Sequence, residues 1–471
     1  MDVALVAPHR GPPSSARPPL VGLTPEEVAG LHDELVAYHR QFAPLFARAE
    51  QRHWALTYLE GQLLPLERKS IETMADALAG GNVQAMQQFI GVGAWDDAAV
   101  LRRHQALVAE TLGDPETGVL IVDGCDFPKQ GTHSVGVARQ WRGALGKVAN
   151  CQASVLAGYA SDRGYTLVDR RLFLPEEWFT EAYRERRIRC GVPPDTVYQT
   201  RTALAWAMID HLHRQGTLPF RWVTGDEHFG NTPVLLDQIA DAGLWYFMEV
   251  PHNVRVWRAR PATAVPPPTG RKGHPFTRVR LAPGAPAPVR VDALATTLSA
   301  DAWQPALIQE GSKGPLVAEV ACRRVVAVRD GLPGPDVWLI LRRGLGEGAE
   351  LKTYLCNTPA ETLEATLVWL LGMRWPVEQA IKESKDEVGL DHYEVRGWVG
   401  WHHHLTMTRL AHHVLMRLRC RLGGDRPGSD GAPGPGAAGG DTAGPATRRR
   451  NDPGAGAGDP AAQLRGGAVP S

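Results

Sequence analysis

The chain lacks several features that would assign it quickly. It has no apolar run of about 18 residues or more, so no membrane span is expected. Its N-terminal stretch, MDVALVAPHRGPPSSARPP, holds no sustained apolar segment, which argues against a signal peptide. None of the six cysteines (Cys125, Cys151, Cys190, Cys322, Cys356 and Cys420) forms a CxxC pair, so a zinc site of cysteine pairs is not expected. They read as reduced, mostly buried thiols of a cytosolic protein. Net charge is also missing, because 51 basic residues offset 51 acidic ones. Any binding to nucleic acid must then come from local patches.

What is present points to a packed globular protein. Hydrophobic residues make up 43% of the 471 and charged residues 22%. At roughly 150 residues per domain, two to three domains are expected. The heavy use of Ala, Gly, Arg and Pro suggests a GC-rich bacterial genome.

Residues 1–23 read as a disordered, Pro-rich lead. Thr24, Pro25 and Glu27 form a helix-start signal with a capping box. Helical periodicity then runs across 24–112, an all-helical N-terminal domain. Its His, Arg and Gln residues could meet DNA or form an ordinary solvated face. At 118–123 the pattern changes to GVLIVD, a β-branched run ending in Asp123. Strands at 134–141 and 151–160 complete a meander. A charged, helical segment follows at 175–189, then an amphipathic helix at 200–215. A strand at 220–226 ends in Asp226, and a helix at 232–242 and a strand at 244–250 follow. The expected core is α/β, a mixed sheet with flanking helices, its first part spanning 113–254.

Residues 255–280 hold seven Arg or Lys and no acid, with Arg271 and Lys272 beside the break PPPTG. This tract could lie on DNA phosphates or be a solvated surface loop. It opens a β-rich insertion, 255–357. Thr358-Pro359 then marks a helix at 361–373, and a His- and Arg-rich helix spans 401–421, so 358–421 returns to the core. From Gly423 on, 31 of 49 residues are Gly, Ala or Pro, and the tail 422–471 is expected to be disordered. Its abrupt change of composition fits a frameshifted C-terminus.

The chain is organised around RWPVEQAIKESK, residues 374–385. As a helix it places Arg374, Glu378 and Lys385 on one stripe beside the apolar Val377 and Ile381. Its plainest reading is a solvated, salt-bridged helix face. Together with Asp123 and Asp226, however, Glu378 completes two strand carboxylates and one helix carboxylate. Hard divalent cations take such oxygen ligands, and a pair of ions can drive phosphoryl transfer. The three consecutive histidines at 402–404 point about 100° apart on a helix and cannot share one ion, so a surface or DNA-facing role is expected.

Five stretches carry a resemblance: IVDGCDFPKQGTHSVGVARQW with LGKVANCQASV, DRRLFLPEEW, WVTGDEHFGNTP, YLCNTPAETLEATL, and the run from Arg374 to His413. Together they resemble insertion-sequence transposases of the DDE superfamily, over residues 24–421. The resemblance implies an RNase H-like catalytic core and a helical N-terminal DNA-binding domain. It makes Asp123, Asp226 and Glu378 the catalytic, metal-binding carboxylates, with two Mg²⁺ ions or Mn²⁺ in their place. Asp126 is a second choice for the first carboxylate, and Glu227 is read as structural. One branch carries a Tyr, Arg, Glu, Lys signature. Arg374, Glu378 and Lys385 match it, and Leu371 replaces the tyrosine. Arg374 and Lys385 would contact phosphates, and Lys129 with Gly131 matches a motif that would turn Lys129 toward DNA.

The implied activity is DNA cleavage at element ends followed by strand transfer into target DNA. The implied partners are double-stranded DNA with terminal inverted repeats, target DNA, and further copies of the chain in a dimer or synaptic assembly. The implied location is the bacterial cytoplasm, at the nucleoid. A catalytically dead DNA-binding remnant, or a metal-dependent nuclease without strand transfer, are the alternatives.

Overall fold

A computed structural model describes residues 25–142, 146–266, 277–311, 314–346 and 349–422. Thr24, Arg271, Lys272, the Pro-rich lead and the C-terminal tail lie outside the described residues. Five helices come first: α1 (Pro25–Arg40), α2 (Ala49–Leu63), α3 (Ile71–Ala77), α4 (Val83–Gly91) and α5 (Asp97–Leu112). The sheet then begins with β1 (Val119–Pro128), β2 (Ala138–Arg142), β3 (Lys147–Ser161) and β4 (Gly164–Phe173). Helices α6 (Arg184–Arg189) and α7 (Arg201–Gln215) lead to β5 (Trp222–Gly225). The short α8 (Glu227–Gly230), α9 (Pro233–Asp241) and β6 (Trp245–Val250) follow.

The spatial order β4–β3–β1–β5–β6 is that of a mixed, RNase H-like sheet. β3 runs antiparallel to both β1 and β4, while β5 lies parallel to β1 and to β6. Alternation along β1 builds the two cores. Val119, Ile121, Cys125 and Phe127 face one side, and Leu120 and Val122 the other. The first side is covered by α11 (Glu364–Gly372), α12 (Trp375–Asp386) and α13 (Trp398–Leu422), the second by α7 and α9. Burial on both faces explains the unbroken VLIV run.

The insertion widens this sheet. Strand Leu351–Cys356 pairs antiparallel with β6, and strands Leu332–Gly344 and Gly314–Arg329 add beyond it. Strand Gln304–Gly311, which the sequence pattern does not suggest, pairs with Gly314–Arg329, giving a sheet of 12 strands among the described residues. Helix α10 (Val291–Thr296) packs on the α7 and α9 side. Among the described residues no helix is long and apolar enough to cross a membrane.

Several expectations need correcting. β1 does not end at Asp123, because β3 keeps supplying hydrogen-bond partners as far as the pair Pro128–Cys151. The strand expected at 134–141 is only the short Ala138–Arg142, and β4 is a strand that the sequence pattern does not suggest. Charge hid β4: Asp169 and Arg170 are buried, held by Arg171, Asp97 and the α13 residue Arg409. The helix expected at 175–189 is split into two 3-10 turns and α6. Thr358-Pro359 does not cap a helix. The Pro359 carbonyl is taken by the Trp338 indole and the Thr362 hydroxyl, and α11 starts at Glu364.

The histidines of α13 are core residues. His403 is buried and stacks on Trp95 at 3.7 Å between ring centroids. His404 is buried and meets the Tyr58 hydroxyl at 2.8 Å. The partly buried His402 engages the Trp398 carbonyl. α13 runs between α2, α4, α5 and β4, so almost every side of it is covered and no surface remains for a row of DNA-facing histidines.

Candidate active site

Asp123 and Asp226 meet because of register. The last residue pair between the parallel strands β1 and β5 is Val122–Gly225, so the next two residues are Asp123 and Asp226. Neighbouring strands lie roughly 4.8 Å apart. The chain has just crossed over from β4 to β5 through α7, so these carboxylates stand at a switch point of the sheet, where open α/β folds place their sites.

Asp226 is the N-cap of α8. Its Oδ1 accepts from the His228 and Phe229 amides, at 3.0 and 3.3 Å. The strand has therefore ended before Glu227, which is an exposed first residue of α8 rather than a strand residue facing the opposite side. Gly230 closes the turn against β6. A Cβ there would stand 1.9 Å from the Glu249 carbonyl oxygen, so only glycine permits this approach.

Glu378 comes from α12, which lies over the Asp123 face of β1. Pro376 sits in the helix's first turn, where no N–H is needed. Val377, Ala380, Ile381 and Ser384 bury themselves at helical spacing. Gly158 on β3 makes the close approach possible, since a Cβ there would come within 3.0 Å of Val377 Cγ2. The side chain of Glu378 is half exposed and accepts from Arg374 Nη2 at 2.6 Å. Arg374 Nη1 donates to Glu249, whose second oxygen accepts from Lys352 Nζ at 3.1 Å.

The electrostatics bind these groups into one site. Burial pushes the Asp123 carboxyl up and the Asp226 carboxylate pushes the same way; Arg374 opposes them and Glu378 adds to them. The result is about 7, even though the Gly124 amide donates to Asp123 Oδ1 at 2.7 Å. The Arg374 guanidinium is drawn on in turn by Glu249, Glu378, Asp123 and Asp226. Among the described residues no three His, Cys, Asp or Glu are already gathered as a closed ion cluster. The donor set nonetheless fits a hard divalent cation: it is all carboxylate, half open to water, and carries more negative charge than one guanidinium neutralises.

The remaining sequence candidates fall elsewhere. Lys385 sits one helical stretch along α12, with Nζ 5.9 Å from the Phe127 ring centroid. Burial raises the Cys125 thiol to about 12 against the pull of Lys385. Lys129 stands just past the end of β1 and holds Nζ 3.6 Å over the Tyr393 ring. Burial lowers its ammonium to about 8. Asp126 points to the opposite face of β1 from Asp123 and lies 3.8 Å from Arg201. Two buried acids that support the site's surroundings are not legible in the sequence to the same degree. Glu249 had a signal, an acid inside the apolar strand WYFMEV. Glu383 had none, because its partners Tyr165, His412 and Arg419 meet it only in the folded chain.

No curated protein matches the sequence. Among solved structures the chain is similar to the NurA nuclease from Sulfolobus solfataricus, at 10% identity and a TM-score of 0.25, over 61% of this chain and 86% of that one. A family model described as DDE superfamily endonuclease matches residues 41–315, a span that includes Asp123 and Asp226 and stops short of α12. With more than half of its length matched, the chain belongs to the DDE superfamily endonucleases.

Proposed function

We propose that this protein is a DNA transposase that cuts a strand at the ends of its own element and joins the freed end to target DNA. One observation carries the reading: α12 delivers Glu378 and Arg374 over the register-matched carboxylates Asp123 and Asp226. Those three carboxylates would hold two Mg²⁺ ions, or Mn²⁺ in their place. When bound, such ions would activate an attacking oxygen and stabilise the leaving one. Burial and the Asp226 carboxylate keep a proton on Asp123 up to about pH 7, and a bound cation would displace that proton to water.

The remaining roles follow from charge and shape. Arg374 offers a planar fork to a phosphate, and Lys385 a point charge further along the same helix. Lys129, Arg271 and Lys272 would extend the contact along the backbone of double-stranded DNA that carries the terminal inverted repeats. The helical segment 24–112 would bind those ends as a domain, and two or more copies would assemble on them, in the cytoplasm at the nucleoid. The family's description as endonucleases supports a second reading, cleavage without strand transfer.

The test is strand cleavage on a duplex carrying the DNA that flanks the gene, with Mg²⁺, with EDTA, and with Glu378→Gln. Metal-dependent nicking at one position, lost in the variant and followed by joining to a second DNA, is the expected result. Nicking with no joined product would replace the transposase reading by the nuclease one. Binding with no nicking in any metal would overturn both.

A further inference from the structure

Arg374 and a divalent ion would compete for the same carboxylates. The guanidinium already donates to Glu378, and it is drawn on by Asp123 and Asp226 as well. Arg374 holds Oε1 of Glu378, so an ion can take both oxygens of that carboxylate only if Arg374 releases it and does not then follow it into the ion's place. Two cations forced to share these carboxylates would repel each other.

The two arms of Arg374 are unequal. Glu249 lies on β6, only 9% exposed, and both its oxygens are already used, one by Arg374 and one by Lys352. Lys352 is fixed in turn by the sheet, since its neighbour Thr353 pairs with Val250. Glu378 is on the outer side of α12, 49% exposed at its side chain, and among the described residues Arg374 is the one cation paired with it. Separating Arg374 from Glu378 therefore leaves a water-facing carboxylate, which is cheap. Separating it from Glu249 would leave a buried carboxylate with Lys352 alone, which is costlier.

We propose that Glu249 is a positioning residue that anchors Arg374 to the sheet, so that Glu378 can exchange its guanidinium partner for a divalent ion. This deepens, and rests on, the reading of Asp123, Asp226 and Glu378 as ion ligands. Glu249 acts through Arg374 and does not touch the ion.

The test is Mn²⁺ binding to the full chain without DNA, read from the EPR signal of free Mn²⁺, so that no turnover is needed. Wild type, Glu249→Gln, Glu249→Asp, Arg374→Gln and the Glu249→Gln/Arg374→Gln double variant are compared. Expected are a loss of affinity of about tenfold in Glu249→Gln, a similar loss in Glu249→Asp, and no further loss when Glu249→Gln is added to Arg374→Gln. The Asp variant keeps the charge and shortens the reach, so it separates positioning from plain charge. It also serves where the Gln variant fails to fold. Wild-type affinity in Glu249→Asp, or an equal loss from Glu249→Gln with and without Arg374, would overturn the proposal. Wild type binding no more Mn²⁺ than Asp123→Asn would be a different failure, that of the ion site itself.

Discussion

The charge balance at Asp123 gives the metal-free protein one of its responses to pH. Its folded value of about 7 lies well above the ordinary carboxyl value of 3.8. A raised folded value means that stability is full below 3.8 and is lost as pH rises through 7. Asp123→Asn removes that loss. In EDTA the variant should melt above the wild type at pH 8, and the gap should shrink as pH falls toward 4. Thermal melting at a series of pH values checks this, and a constant gap would refute it. Adding Mn²⁺ at pH 8 should raise the melting temperature of the wild type and leave Asp123→Asn nearly unmoved. Asp123 was legible in the sequence as the acid closing a VLIV run. Its raised titration was not, because Asp226 and Arg374 reach it only through strand register and helix docking.

Two features of α12 determine where Glu378 stands. The first is its close approach to β3 over Gly158. Gly158→Ala should push Val377 outward and cost about 1–3 kcal/mol, the usual penalty for overpacking, with nicking reduced as Glu378 shifts. Urea denaturation and the nicking assay measure both effects. The second is the buried carboxylate Glu383. It accepts from Tyr165 at 3.0 Å, Gln379 at 2.8 Å and Arg419 at 2.9 Å, and meets His412 at 3.2 Å. Burial alone would raise this carboxyl; the His412 hydrogen bond and charge, with Gln379 and Arg419, bring it down to about 2. A depressed folded value gives stability that is present above 4.5 and lost as pH falls through 2. Glu383→Ala should cost about 3 kcal/mol by leaving buried partners unpaired, and denaturant titration at pH 7 would show it. The apolar stripe of α12 could be read directly from helical spacing. Its rotational lock could not, since β4 and the far end of α13 supply it.

Across the whole molecule, neutral histidines tie the N-terminal helices to the sheet and to α13. His104 on α5 meets the Leu167 carbonyl of β4 at 2.9 Å, and His404 on α13 meets Tyr58 of α2. Burial lowers His104 to about 4 and His404 to about 3, below the ordinary 6.5. Unfolding lets them take up protons, so stability is full above 6.5 and declines as pH falls toward 4. Each such histidine removes about 1.4 kcal/mol per pH unit across that window. Denaturant midpoints at pH 7.5, 5.5 and 4.5 should fall in that order, and a flat profile would contradict the buried, neutral assignment. The mixed sheet and the helical start were legible because strand and helix periods are local. The burial of α13 was not, because a His- and Arg-rich helix reads as a solvated one until its neighbours are known.

The seam of the widened sheet has a consequence of its own. Val250 and Thr353 are register partners, as are Glu249 and Tyr354. The chain thus leaves the core at β6 and re-enters it on the adjacent strand, as the two legs of a hairpin do. In topological terms the insertion is a hairpin loop grown long, and its whole length separates the second acidic residue from the third without moving them apart in space. Material can be gained or lost at the tip of that loop while Asp226, Glu249 and Glu378 keep their places.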